Sequence, residues 1–250
     1  MTSDIVEVWL ISTDVPDSVL AEFEALLDDD ERERARTLLY PDRRRQFVAS
    51  HGAVRVILGQ HLGIPPESLR WRRGPHGKPE LAGPGLAGPG LAGPAPQVSM
   101  SQSDSLAALA VAGNRHVGVD IQRLPADLDV TRMARRFFPP EEAQFIRSAA
   151  GTDGQVDRFT RLWVRKEACV KVSGGRLLPG LQLTVLTAGV TGGVLTGARA
   201  GPYLVRDLRV PQGFRAAVAV EGTRPFSITR HWMHPGQRRH QIQPAKLDAQ

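Results

Sequence analysis

An apolar run interrupted by one acid, Ile5–Ile11, predicts an opening strand. Asp17 then predicts a helix start, with Val19, Leu20, Phe23, Leu26 and Leu27 on one face and an end near Leu39. A second helix is predicted over about Arg43–Leu62, before Pro65-Pro66, and a short strand over Leu69–Arg73. Gln97–Ser101 and Leu106–Ala112 read as strands around a Ser/Asp turn. Gly113-Asn114 signals a hairpin into a strand at His116–Ile121. Helices are expected over Val130–Phe137, Pro139–Ala149 and Val156–Val172. Strands are expected over Leu181–Leu186, Tyr203–Val210, Phe214–Val220 and Phe226–Trp232.

Each half of the chain thus has a leading strand, then helices, then closing strands. That order predicts an α+β fold of two similar lobes, residues 1–113 and 114–234. Residues 81–95 repeat Leu-Ala-Gly-Pro three times, a density of Gly and Pro that no helix or interior strand accepts, so a mobile loop is expected. From 235 onwards the tail is polar, and disorder is expected there.

Composition narrows the class. The 250 residues are 41% hydrophobic and 23% charged, an ordinary globular balance. The apolar run Leu106–Ala112 is far short of the ~20 residues that a membrane span requires. Met1-Thr-Ser-Asp has neither the basic nor the apolar region of a leader, and Cys169 is the only cysteine. A cytoplasmic protein without disulfides is expected, with no membrane contact.

The formal charge of +6 is uneven. Residues 1–30 hold nine acids and no Lys or Arg, which leaves the rest at +15. A basic body suits phosphates or an acidic protein partner. A nucleic-acid partner is not expected, because no recognition motif is present and aromatic platforms are few. Arginine fills 28 of the 32 Lys+Arg positions, so the four lysines stand out as places for a compact ammonium: Lys78, Lys166, Lys171 and Lys246.

Two segments carry candidate chemistry. On a strand at Val117-Gly-Val-Asp-Ile-Gln122, Asp120 and Gln122 share a face, and a carboxylate beside an amide carbonyl can serve a hard cation. On a helix at Trp163-Val-Arg-Lys-Glu-Ala-Cys-Val-Lys171, Trp163, Glu167 and Lys171 succeed one another by one turn. Glu167 can add a second metal carboxylate, and Lys171 can meet a phosphate or protonate a leaving oxygen.

Together, Gly-Val-Asp-x-Gln and Trp-x-x-Lys-Glu-x-x-x-Lys resemble the 4′-phosphopantetheinyl transferase superfamily, in its surfactin-type branch with two lobes on one chain. Gly77-Lys78-Pro79, Val98-Ser99-Met100-Ser101 and Arg135-Arg-Phe-Phe-Pro-Pro-Glu-Glu142 occupy the places of three further family elements. The resemblance runs from about Leu38 to Val185.

It implies a pseudo-dimeric arrangement with the active site in the groove between lobes. It also implies transfer of the phosphopantetheine arm of coenzyme A to a serine of an acidic acyl- or peptidyl-carrier protein, by a Mg²⁺-dependent monomer. Asp120, Gln122 and Glu167 would be metal ligands. Glu167, Lys171 and Glu142 would be catalytic. Arg44, Arg45, Lys78, Pro79, Ser99, Met100, Lys166 and Lys171 would bind coenzyme A. Two positions depart from the family: Met100 replaces a histidine and Gln122 an acid. They motivate an alternative, a catalytically weakened scaffold that binds coenzyme A or a carrier.

Overall fold

The computed structural model describes residues 4–74, 77–82, 95–174, 177–186, 193–197 and 201–236. It is an α+β fold built on two four-stranded sheets. In the first, β1 (Asp4–Ser12) pairs antiparallel with β5 (Leu106–Ala112), and β5 with β4 (Gln97–Ser103). In the second, β6 (Val117–Arg123) pairs with β9 (Phe214–Glu221), then β8 (Gly201–Leu208), then β7 (Gly193–Gly197), all antiparallel. The last strand, β10 (Phe226–Met233), pairs parallel to β1, with Trp9 opposite His231. One strand therefore crosses the division expected at residue 113.

Alternating side chains explain the layering. Val6, Val8 and Leu10 of β1 meet Val117, Val119 and Ile121 of β6, and Ala216, Val218 and Val220 of β9, in a core between the sheets. Trp9 and Ile11 point the other way, to a core with Phe23, Val54, Ile57 and Leu58 from the helices of the first half. Ala217 and Ala219 of β9 pack on Phe159, Leu162 and Ala168 in a third core. The order is helices, sheet, sheet, helices. Strand β5 is buried along its whole length because both of its faces are covered.

The first-half helices are α1 (Asp17–Leu26), α2 (Asp29–Thr37) and α3 (Pro41–Leu62). The single helix expected over 17–39 is two, because Asp28 starts a new one. Its carboxylate accepts the Glu31 N–H at 2.9 Å, and Glu31 accepts the Asp28 N–H at 3.2 Å. This reciprocal cap satisfies donors that a continuous helix would pair internally. A hairpin of β2 (Arg70–Arg73) and β3 (Pro79–Ala82) follows.

The second half carries α4 (Val130–Phe137), α5 (Pro140–Arg147), the long α6 (Gly151–Ser173) and a short α7 (Leu177–Gly180). Gly113-Asn114 is not a hairpin turn. It links β5 in one sheet to β6 in the other. The strand expected at 181–186 is a turn, held to α5 and α6 by side chains. Strands β3 and β7 were not expected. Residues 83–94 of the repeat, and the tail from 237, lie outside the described residues.

Candidate active site

Strand β6 lies directly on α6, and Gly118 makes this possible. A Cβ there would sit 2.0 Å from the Ala168 carbonyl oxygen and 2.8 Å from the Val172 nitrogen. The close approach brings Asp120 of β6 to Glu167 and Lys171 of α6. Asp120 is 5% exposed. Its Oδ1 accepts from Lys171 Nζ at 2.7 Å and from Ser101 Oγ at 2.7 Å. Lys171 also donates to the Val119 carbonyl at 3.2 Å. Asp120 Oδ2 is buried with no hydrogen-bond partner among the described residues. Burial pushes the Glu167 carboxyl above its ordinary pKa, and the Asp120 charge adds to the rise, while Lys171 opposes it.

Lys171 also lines a cavity of about 330 Å³. One wall comes from α2 and α3, with Asp28, Asp30, Glu31, Arg34, Phe47 and His51. The β2–β3 hairpin contributes Trp71, Arg72, Arg73, Gly77, Lys78 and Pro79, and β4 contributes Ser99 and Met100. Gly77 takes φ 84°, a left-handed turn that glycine adopts freely. Beside it, Lys78 Nζ donates to the Val117 carbonyl at 3.1 Å and the Val172 carbonyl at 3.2 Å. Burial lowers the pKa of Lys78, and the charges of Glu80 and Glu221 oppose this. Ser99 Oγ accepts the Val119 N–H at 3.1 Å, tying β4 to β6. Thus Lys78, Pro79, Ser99, Met100 and Lys171 share one cavity.

Other expected site residues lie elsewhere. Arg44 pairs with Glu24 at 3.0 Å, and Arg45 with Asp17 at 2.6 Å, so both spend their charge on α1. Arg34, Arg72 and Arg73 line the cavity instead, and Arg72 pairs with Glu80 at 2.8 Å. Lys166 is fully buried, 2.5 Å from the fully buried Glu142. It also donates to the Leu183 carbonyl and lies 4.6 Å over the Phe138 ring. Glu142 accepts the Val185 N–H at 2.5 Å. The pair therefore clamps α5 and the 183–185 turn to α6, and Lys166 presents no ammonium to a phosphate in the cavity. Gln122 shares the Asp120 face of β6, but it lines a separate groove with Leu128, Met133 and Trp163. Its amide Nε2 donates to the Arg123 carbonyl at 3.3 Å.

Among the described residues, no group of three or more His, Cys, Asp or Glu side chains converges as a metal cage. Asp120 and Glu167 are nonetheless two carboxylates in mutual range, one with an unpartnered buried oxygen. That donor set fits a hard cation that draws its remaining oxygens from water and phosphate.

Residues 116–210, which run from β6 through α6 to β8, match the family model of the 4′-phosphopantetheinyl transferase superfamily. The 4′-phosphopantetheinyl transferase HetI of Nostoc sp. is 34% identical over 174 residues, 70% of this chain and 70% of that protein. The putative 4′-phosphopantetheinyl transferase slr0495 of Synechocystis sp. is 30% identical over 179 residues, 72% of this chain and 69% of that protein. The 4′-phosphopantetheinyl transferase gsp of Aneurinibacillus migulanus is 31% identical over 127 residues, 50% of this chain and 47% of that protein. The chain belongs to the 4′-phosphopantetheinyl transferase superfamily, as its strand and helix motifs implied. No helix among the described residues is long and apolar enough to cross a membrane.

Proposed function

We propose that the chain moves the 4′-phosphopantetheine arm of coenzyme A onto a serine of an acyl- or peptidyl-carrier protein and releases adenosine 3′,5′-bisphosphate. The observation that carries this is the cation-lined cavity whose Lys171 is shared with Asp120, beside Glu167. Five cationic side chains line it, Arg34, Arg72, Arg73, Lys78 and Lys171, against three acids, Asp28, Asp30 and Glu31, of which Asp28 and Glu31 pair with the buried Arg55. They suit a ligand with several phosphates, and the guanidinium groups can meet phosphate oxygens in pairs.

The chemistry is an in-line displacement. The carrier serine Oγ bonds to the phosphorus bearing pantetheine, and the bond from that phosphorus to the bridging oxygen breaks. The serine proton passes to Glu167, the carboxylate one turn from Lys171 on α6. Lys171 faces the charge that grows on the departing phosphate, which is where a fixed cation lowers the barrier most. Asp120 and Glu167 would hold Mg²⁺, which supplies further charge neutralisation when bound.

The +15 body beyond residue 30 favours an acidic carrier, through long-range attraction. One chain provides every wall of the cavity, so we expect a monomer to suffice. Supplying apo-carrier, coenzyme A and Mg²⁺ should release adenosine 3′,5′-bisphosphate in step with coenzyme A consumed. The release should vanish when the carrier serine is alanine. Coenzyme A binding without release would favour the scaffold alternative, motivated by Met100 in the cavity wall and by Gln122.

A further inference from the structure

Strand β4 places Ser99, Ser101 and Ser103 on one face, and all three reach β6. Ser99 accepts the Val119 N–H, and Ser103 accepts the Arg123 N–H at 3.0 Å. These two hydroxyls join the edges of the sheets where no backbone ladder does. Ser101 does something different. Its hydroxyl meets Asp120 Oδ1 at 2.7 Å, and an ionised carboxylate only accepts, so Ser101 must donate.

We propose that Ser101 is a positioning residue that orients Asp120 for a divalent cation. This rests on the transfer reading above and deepens it. Oδ1 takes two donors, the Ser101 hydroxyl and the Lys171 ammonium, from opposite structural origins: one on β4, one on α6. Two short bonds to one oxygen fix the rotation of the carboxylate plane. The second oxygen, Oδ2, is thereby presented with no protein donor, although it is buried. A buried acceptor left unpaired is costly, so the arrangement favours any cation or water that reaches Oδ2. Without Ser101, Lys171 alone holds Oδ1, and the carboxylate is free to turn both oxygens toward the ammonium. Ser101 therefore acts on the cation through Asp120 and touches no reacting atom itself.

The test compares Ser101→Ala, Ser101→Thr and Ser103→Ala with the unaltered chain. The readout is Mn²⁺ binding, by loss of the free-ion resonance signal, with transfer to an apo-carrier measured alongside. Ser101→Ala should weaken Mn²⁺ binding about ten-fold, as loss of an outer hydrogen bond to a ligand does elsewhere. Ser101→Thr keeps the hydroxyl and should bind within about two-fold of the unaltered chain, on the same ground. Ser103→Ala removes a seam hydroxyl that does not touch Asp120 and should leave Mn²⁺ binding unchanged.

Equal losses in Ser101→Ala and Ser103→Ala would overturn the inference, because they would show a seam effect only. So would unaltered binding in Ser101→Ala, or an unaltered chain that binds no Mn²⁺. Mn²⁺ binding with the expected ranking but no transfer by the unaltered chain would refute the transfer reading and leave the role of Ser101 standing.

Discussion

Lys166 and Glu167 are adjacent on α6 yet meet opposite surroundings. Glu167 faces Asp120 and Lys171, while Lys166 turns into the core against Glu142. Removing one member of such a buried pair strands the other charge, which costs roughly 3–5 kcal/mol. Lys166→Met and Glu142→Gln should each shift the urea midpoint strongly downward, whereas Lys166→Met with Glu142→Leu should recover most of the loss. Equal destabilisation in the double variant would show that the pair does more than neutralise itself. Cys169, on the same helix, is buried with its thiol pushed up to about 12, so it is no nucleophile. The helix spacing was legible in the sequence, with Glu167 one turn from Lys171, whereas the two-residue spacing of Asp120 and Gln122 gave a shared face but not a shared site, since Gln122 lines another groove. The separation of Lys166 from the site was not legible, because its partner lies 24 residues away on another helix.

At the scale of elements, the contact of β6 with α6 carries the geometry. Gly118→Ala would drive a methyl group into the helix backbone at Ala168, which cannot yield as a side-chain tip can. The strand should lift, with lower thermal stability and loss of Mn²⁺ binding, both measurable on one preparation. A second joint lies between α2 and α3. Arg55, fully buried, donates to Glu31 Oε2 at 2.6 Å and pairs with Asp28, while His51 Nδ1 lies 2.8 Å from Glu31 Oε1. Burial alone would raise the pKa of Glu31, but the hydrogen bond and charge of His51 and the charge of Arg55 outweigh it and hold it below 4.5.

A folded-state value below the unfolded one means that Glu31 stabilises fully above the unfolded value, and that this is lost as pH falls through the folded value. Glu31→Gln should lower stability at pH 7 and flatten the acid side of the stability curve. A parallel, undiminished acid slope would contradict this role. The Asp28-to-Glu31 spacing is a helix-start signal that the apolar spacing of the first helix obscured. The same crowding of charge hid Arg34, which lines the cavity, behind the Arg43-Arg44-Arg45 run, of which Arg44 and Arg45 pair with α1.

At the scale of the molecule, two sheets packed face to face bring a cationic cavity and a carboxylate pair to one place. The α+β class was legible because strand and helix periods are local. The return of β10 to β1 was not, because no pattern within 226–233 says which edge it completes. The hairpin expected at Gly113-Asn114 fails for the same reason: partners of a strand are chosen by faces far away in sequence. Transfer of a phosphopantetheine arm at this place, as proposed, leaves that arm on the carrier. Intact mass of an apo-carrier incubated with coenzyme A, Mg²⁺ and the chain tests it most directly. The unaltered chain should add one phosphopantetheine mass, and Asp120→Ala and Glu167→Ala should add none while unfolding as cooperatively as the unaltered chain. Full addition by either variant, or none by the unaltered chain across several carriers, would contradict the claim.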